Sequence, residues 1–220
     1  MVSEERISRD EPQPETQDRS PVQAQDQAQT QPPLTEERRR YEEFAYVLDY
    51  LPKGKTGTGR GYIAEPTVQI LGEEFFTLLE AAVRPNMALN LHEKVYIGKD
   101  RRDKISHIVG RVSFDELTPT SKAELPPAIE EIIKKSETRY VDFFNQAKAI
   151  THRMHAFELL PGIGKKFMWQ IVNEREKKPF VSFDDIQKRT SVPDPMKVIV
   201  RRVLDELAGD EKYKIFTRHY

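Results

Sequence analysis

The hydrophobic pattern of this chain changes period once, and that change sets its fold class. Between residues 45 and 114 the apolar residues come in five short runs, 45–51, 67–71, 75–83, 94–97 and 105–114, broken by Gly, Pro and Asn. Runs of that length with that punctuation are strand candidates, although 75–83 reads equally well as a helix. Beyond Pro127 the spacing becomes that of a helix face. Ile129, Ile132 and Ile133 form one stripe, and Tyr140, Phe143, Phe144 and Ala147 form the next. Strands followed by helices predict an α+β chain.

Two domains follow from this reading. Five short strands over 41–117 suggest a small β-barrel resembling the OB fold, a common scaffold for single-stranded nucleic acid. Tyr46, Leu48 and Tyr50 are expected on one face of the first strand. In the last strand Ile108, Val112 and Phe114 are expected on one side and His107, Arg111 and Ser113 on the other. Residues 118–127, with Pro119, Pro126 and Pro127, read as a linker, 128–210 as an all-α domain, and 211–220 as a C-terminal tail. Residues 1–40 carry no aromatic side chain, Gln recurs at 23, 25, 27, 29 and 31, and Pro and acid fill much of the rest. Such a segment cannot offset its own ordering entropy and is expected to be a disordered tail, solvated or weakly protein-docking.

Composition narrows the function classes. The 220 residues contain no Cys, which excludes disulfide frameworks, thiolate zinc sites and thiol catalysis, and suits a reducing interior. No apolar run reaches the length of a membrane span and the N-terminus lacks a signal-peptide core, so a soluble, cytoplasmic protein is expected. The formal net charge is only -1, but acid dominates the first 33 residues and base dominates beyond Arg139. That asymmetry suits a chain whose C-terminal part faces phosphate.

The basic end carries the one stretch that reads as chemistry. In Leu160-Pro161-Gly162-Ile163-Gly164-Lys165-Lys166 an apolar helix end runs into a Gly-x-Gly turn, and Met168, Ile171 and Val172 then mark the face of a following helix. The first NH groups of a helix lack intrahelical acceptors and sit at the positive end of its dipole. A phosphate there is stabilised without any side chain. Glycine at 162 and 164 would supply positive φ and let a phosphodiester approach the backbone. Gly162, Ile163 and Gly164 are expected to give NH donors, and Lys165, Lys166 and Arg175 to give charge. The pattern resembles the helix-hairpin-helix motif, with Leu160, Gly162, Ile163, Gly164, Met168, Ile171 and Arg175 in register. A Gly-terminated helix followed by an unrelated one is the plainer alternative.

A second hairpin is expected over 182–207. Ser182 caps and Asp185 lies in the first turn of its first helix; Asp194 and Pro195 open its second. Its turn is Ser191-Val192-Pro193-Asp194-Pro195, where proline lacks an NH and aspartate repels phosphate. The second hairpin therefore keeps a packing role without a binding one.

Residues 44–51, Lys94-Val95-Tyr96-Ile97-Gly98-Lys99, Leu117-Thr118-Pro119-Thr120 and Leu159-Leu160-Pro161-Gly162-Ile163-Gly164-Lys165-Lys166 together resemble the archaeal DUF655 family over most of the chain beyond the tail. The resemblance implies an OB-like N-terminal domain, a helix-hairpin-helix C-terminal domain, and a nucleic-acid-binding role. Family genes often lie beside those for rRNA methylation and transcription. RNA is accordingly favoured over DNA, with a part in ribosome maturation, ribosomal or transcription proteins as further partners, and neither membrane nor cofactor.

Other residues compete for roles. Lys53, Lys55 and Arg60 lie in a basic, Gly-rich loop between the first two strands, and Lys99, Arg101 and Arg102 with Lys104 form a second basic cluster; both are candidate backbone contacts, each with a merely solvated loop as the alternative. The Gly-Lys-Thr at 54–56 is not a P-loop, because Asp49 stands where the motif needs Gly and Pro66 follows where it needs a helix. Tyr46, Tyr50, Tyr62 and Tyr96 are stacking or core residues. His152 and His155 share a predicted helix face without further ligands, which argues against a metal. A helix-hairpin-helix glycosylase would place a Schiff-base lysine at Lys166 and a catalytic aspartate at Asp184; capping explains Asp184, and the large lobe that flips a base is missing. A non-enzymatic RNA-binding protein is the leading expectation, with a protein-interaction adaptor on a large assembly as the rival.

Overall fold

The computed structural model describes residues 41–54, 65–209 and 211–218. Five strands, β1 (Phe44–Leu51), β2 (Thr67–Gly72), β3 (Leu78–Val83), β4 (Lys94–Tyr96) and β5 (Ile105–Arg111), form one antiparallel sheet in the order β4-β1-β2-β3-β5. After them come α1 (Pro119–Lys135), α2 (Glu137–Gln146), a small hairpin of β6 (Ala149–Thr151) and β7 (Met154–His155), then α3 (Lys165–Lys177), α4 (Phe183–Arg189) and α5 (Pro195–Ala208). The chain is α+β. Its sheet curls into a half-barrel whose two edges, β4 and β5, do not pair with each other.

Alternation along the strands separates two cores. Ala45, Val47, Val68, Ile70, Leu79 and Ala81 pack with Val95, Ile97 and Ile105 on the face enclosed by the sheet itself. Tyr46, Leu48, Leu71 and Leu78 point the other way and join the helices. Two bulges break the alternation that the sequence suggested. A register shift between Val47 and Asp49 places Tyr50 with the enclosed core, away from Tyr46 and Leu48. Another between Ile108 and Gly110 puts Ile108 in the enclosed core while Val112 and Phe114 face the helices. One extra residue in a strand sends every later side chain to the opposite face.

Residues 118–127 are not a linker; all but Thr118 lie within α1. Thr118 caps the helix by accepting the Ser121 amide at 3.0 Å, and Pro119 occupies the first turn. Buried Gln69 of β2 fastens this start to the sheet, accepting from the Thr118 amide at 2.9 Å and the Ser121 hydroxyl at 2.7 Å. Thr118 also donates its hydroxyl to Asp49 of β1 at 2.7 Å. Pro126 and Pro127 lie inside the helix and forgo two amide donors. Burial of Leu125, Ala128, Ile129, Ile132 and Ile133 offsets that loss, since α1 packs against β1 as well as α5.

The C-terminal segment is not a free tail either. The Glu206 carboxylate is fully buried and accepts the amides of Ile215 at 2.8 Å, Phe216 at 3.1 Å and Thr217 at 2.9 Å, and the Arg202 Nε at 2.8 Å. Phe216 then packs on Tyr140 and Phe143, with ring centroids 5.9 and 5.1 Å apart. Among the described residues no helix is long and apolar enough to cross a membrane. The tail expected over 1–40 lies outside the described residues.

Candidate functional site

The glycine turn is built by three adjoining features. No α-helix leads into it. Instead β6 and β7 are followed by a single 3-10 turn, Ala156–Leu159, capped at both ends of its first residues: His155 Nδ1 accepts the Phe157 amide at 3.2 Å, and Glu158 accepts the His155 amide at 2.9 Å. The first helix of the expected hairpin is therefore absent, and His152 and His155 sit in and after a β-turn, not on a helix face. Burial of Phe157 and Leu160 holds this segment in the helical core. From the other side, Arg202 Nη1 of α5 donates to the Leu159 carbonyl at 3.0 Å.

Past Leu160 the backbone turns at Gly162, whose φ of +82° lies in the left-handed region that disfavours any residue with a Cβ. Ile163 is buried, and its amide donates back to the Leu160 carbonyl at 3.0 Å. Ile163 is thus the apolar anchor of the turn and not a donor to a ligand, correcting the sequence expectation. Gly164 is the N-cap of α3, in extended conformation, and no side chain caps the helix. A Cβ at Gly162 or at Gly164 would meet nothing within 4 Å. Gly162 is required by its backbone, whereas the fold places no steric demand on Gly164.

Lys165 and Lys166 are exposed in the first turn of α3 and form no ion pair among the described residues. Met168 and Ile171 point into the core and orient the helix. One turn in from the lysines, Trp169 is 59% exposed, the only Trp of the chain and a residue the sequence reading passed over. Arg175 is placed differently from expectation. Its Nη1 donates to the carbonyls of Phe144 at 3.1 Å and Ala147 at 2.8 Å, ending α2, and its guanidinium lies 5.5 Å over the Phe157 ring. Arg175 supports the turn from behind.

The basic loops are partly visible. Lys53 is exposed at the end of β1; Lys55, Arg60 and Tyr62 lie outside the described residues. Lys99 and Arg101 are exposed on the β4–β5 loop, with Lys99 Nζ 5.2 Å over the Tyr41 ring. Arg102 is half-buried, its Nε donating to the carbonyls of Ile97 at 3.1 Å and Gly98 at 2.9 Å. Tyr46 is wholly buried and cannot stack on a base. Lys166 is solvent-exposed, so nothing desolvates its amine, and Asp184 pairs with Lys188 at 2.5 Å.

Two further carboxylates organise the molecule without having been singled out. Glu42 accepts the amides of Glu74 at 2.8 Å, Phe75 at 3.0 Å and Thr77 at 3.1 Å, closing the β2–β3 turn. Gly72 makes room for it, since a Cβ there would come within 2.1 Å of that carboxylate. Glu206 does the same for the C-terminal segment. Its signal is spacing: Arg202 and Glu206 stand three and seven residues after Ile199, on the buried face of α5.

Comparison with known proteins agrees with this architecture. The family model described as a protein of unknown function (DUF655) matches residues 41–218, a span that takes in all of the described residues. The chain belongs to this family. An uncharacterized protein of Methanocaldococcus jannaschii is 44% identical over 184 residues, 84% of this chain and 82% of that protein. The crystal structure of Af1531 from Archaeoglobus fulgidus, of the same family, is 47% identical and superposes with a TM-score of 0.73 over 80% of this chain and 100% of that one. A PolC-type DNA polymerase III of Thermotoga petrophila is 29% identical over 150 residues, 67% of this chain but 10% of the polymerase.

Proposed function

We propose that this family member is a non-enzymatic nucleic-acid-binding protein that grips backbone phosphate at Gly162, Gly164, Lys165 and Lys166. One observation carries the reading: α3 opens with exposed glycine, no capping side chain and two exposed lysines that form no ion pair among the described residues. Unsatisfied amides at a helix start, with the dipole behind them, stabilise an anion, and the lysines make that anion a polyanion. The finer fold reading goes with it. The half-barrel is an open OB-like barrel, and the turn is a shortened helix-hairpin-helix in which a 3-10 turn replaces the first helix.

RNA is the favoured strand, a preference that rests on the family resemblance, since main-chain donors do not sense a 2'-hydroxyl. The segment shared with a DNA polymerase accords with a polyanionic partner. Fluorescence anisotropy of labelled RNA and DNA with the full chain is the direct test. Gly164→Val is expected to weaken binding several-fold with unchanged far-UV circular dichroism, because a β-branched side chain covers the amides of α3. Undiminished affinity in that variant refutes the turn as the grip. Crosslinking and sequencing of nucleic acid recovered with the native protein then identifies the strand.

A further inference from the structure

The half-barrel does not close, and its seam is a cavity. The space of about 310 Å³ has Leu79, Ile97 and Ile108 among its walls, at the lower end of the range that encloses small ligands. Its rim carries Lys99, Arg102 and Arg111, with the Tyr41 ring beside them. Arg102 is held at this seam by the backbone that follows β4. Its Nε donates to the carbonyls of Ile97 and Gly98, just past the end of β4. Gly98 is held close to the Tyr96 ring, where a Cβ would approach the hydroxyl within 2.3 Å.

The lining has one acid, Glu42, and its oxygens are spent on the amides of Glu74, Phe75 and Thr77. Lys99 and Arg102 outweigh that one carboxylate, so the rim favours an anion. An apolar pocket with an aromatic ring and a cationic rim selects a flat apolar body bearing an anionic group. We propose that the seam between β4 and β5 binds one nucleotide, its base on the apolar floor against Leu79, Ile97 and Ile108 and its phosphate at Lys99 and Arg102. The nucleotide is either free or an unpaired residue of a strand. The choice of a nucleotide among flat anions rests on the nucleic-acid reading above, while the pocket is separate from the glycine turn.

The test is NMR titration of the full chain, at low salt, with a nucleoside monophosphate, the matching nucleoside, inorganic phosphate and a trinucleotide. The monophosphate is expected to shift Ile97, Lys99 and Ile108, with nucleoside and phosphate each binding more weakly. Lys99→Glu is expected to lower monophosphate affinity about tenfold by reversing one rim charge, and Lys165→Glu to leave it unchanged. A tighter trinucleotide assigns the site to a strand; a trinucleotide no tighter than the monophosphate assigns it to the free nucleotide. Either supports the proposal. No shift at these residues with any nucleotide, or phosphate alone binding as well as the monophosphate, overturns it. Gly164→Val separates the two claims. Loss of RNA binding with monophosphate shifts intact keeps both, RNA binding without monophosphate shifts removes the pocket alone, and monophosphate shifts without RNA binding in the parent chain remove the turn alone.

Discussion

The starts of α3 and α5 are finished in opposite ways. At α5 the chain supplies its own anion: Asp194, at φ +43°, accepts the Lys197 amide at 3.1 Å, and Pro195 removes a donor in the first turn. At α3 the corresponding place is Gly164, without a side chain, and two exposed lysines follow that form no ion pair among the described residues. The β2–β3 turn behaves like α5, its amides filled by Glu42. Helix-start amides are usually satisfied from within the chain, so a start without a side-chain cap beside exposed cations supports the proposed phosphate site. The difference also assigns labour: α5 supports, through Arg202 and the Leu159 carbonyl, the turn that α3 presents.

The severest way to break this comparison is to remove the support. Glu206→Ala leaves the buried Arg202 guanidinium with only the more exposed Glu211 carboxylate and strands three amides, and is expected to cost about 3–5 kcal/mol in urea unfolding. A loss below about 1 kcal/mol, no more than an exposed pair is worth, would show that α5 does not hold the C-terminal segment through this group. Gly164→Asp makes α3 resemble α5. Stability is expected to rise by about 0.5 kcal/mol from the new cap, while RNA affinity falls about tenfold as a carboxylate takes the phosphate's place. Stability and binding moving together would contradict the division of labour.

A pH series sharpens the same contrast. Burial, with Arg175 nearby, holds the His155 imidazole below its ordinary pKa of 6.5, and Nδ1 must be unprotonated to accept the Phe157 amide. The unfolded chain binds this proton more readily than the folded one, so the contribution is present above pH 6.5 and lost as pH falls through the depressed value. His155→Asn, which retains a capping acceptor, is expected to flatten that part of the acid limb in thermal unfolding. An unchanged slope would assign the acid sensitivity elsewhere. The smallest effect is expected at Asp194→Gly, a few tenths of a kcal/mol, because glycine tolerates the left-handed backbone. If that variant bound RNA at α5 as tightly as α3 does, charge alone and not the surrounding turn would define the grip.

Much of this was legible in the sequence because it rests on local chemistry. The strands of the half-barrel follow from short apolar runs and their punctuation, and the bare start of α3 from Gly162 and Gly164. What escaped depended on long-range partners. Nothing near Leu48 or Val109 announces a bulge, so Tyr50 and Ile108 were assigned to the wrong face. The prolines of 118–127 read as a linker because the compensating bonds from Gln69 lie about fifty residues away in sequence. Arg175 was grouped with the phosphate ligands for its charge, although its partners are the carbonyls of α2. The 3-10 turn replaced a helix because the β6–β7 hairpin uses the residues that a longer helix would need.

Arg102 has a consequence for solubility. Backbone carbonyls on a sheet margin are sticky toward any passing strand, and a guanidinium folded over those of Ile97 and Gly98 makes that margin a poor template. A side chain that braces one end of the half-barrel thus also hinders neighbouring molecules from stacking onto it.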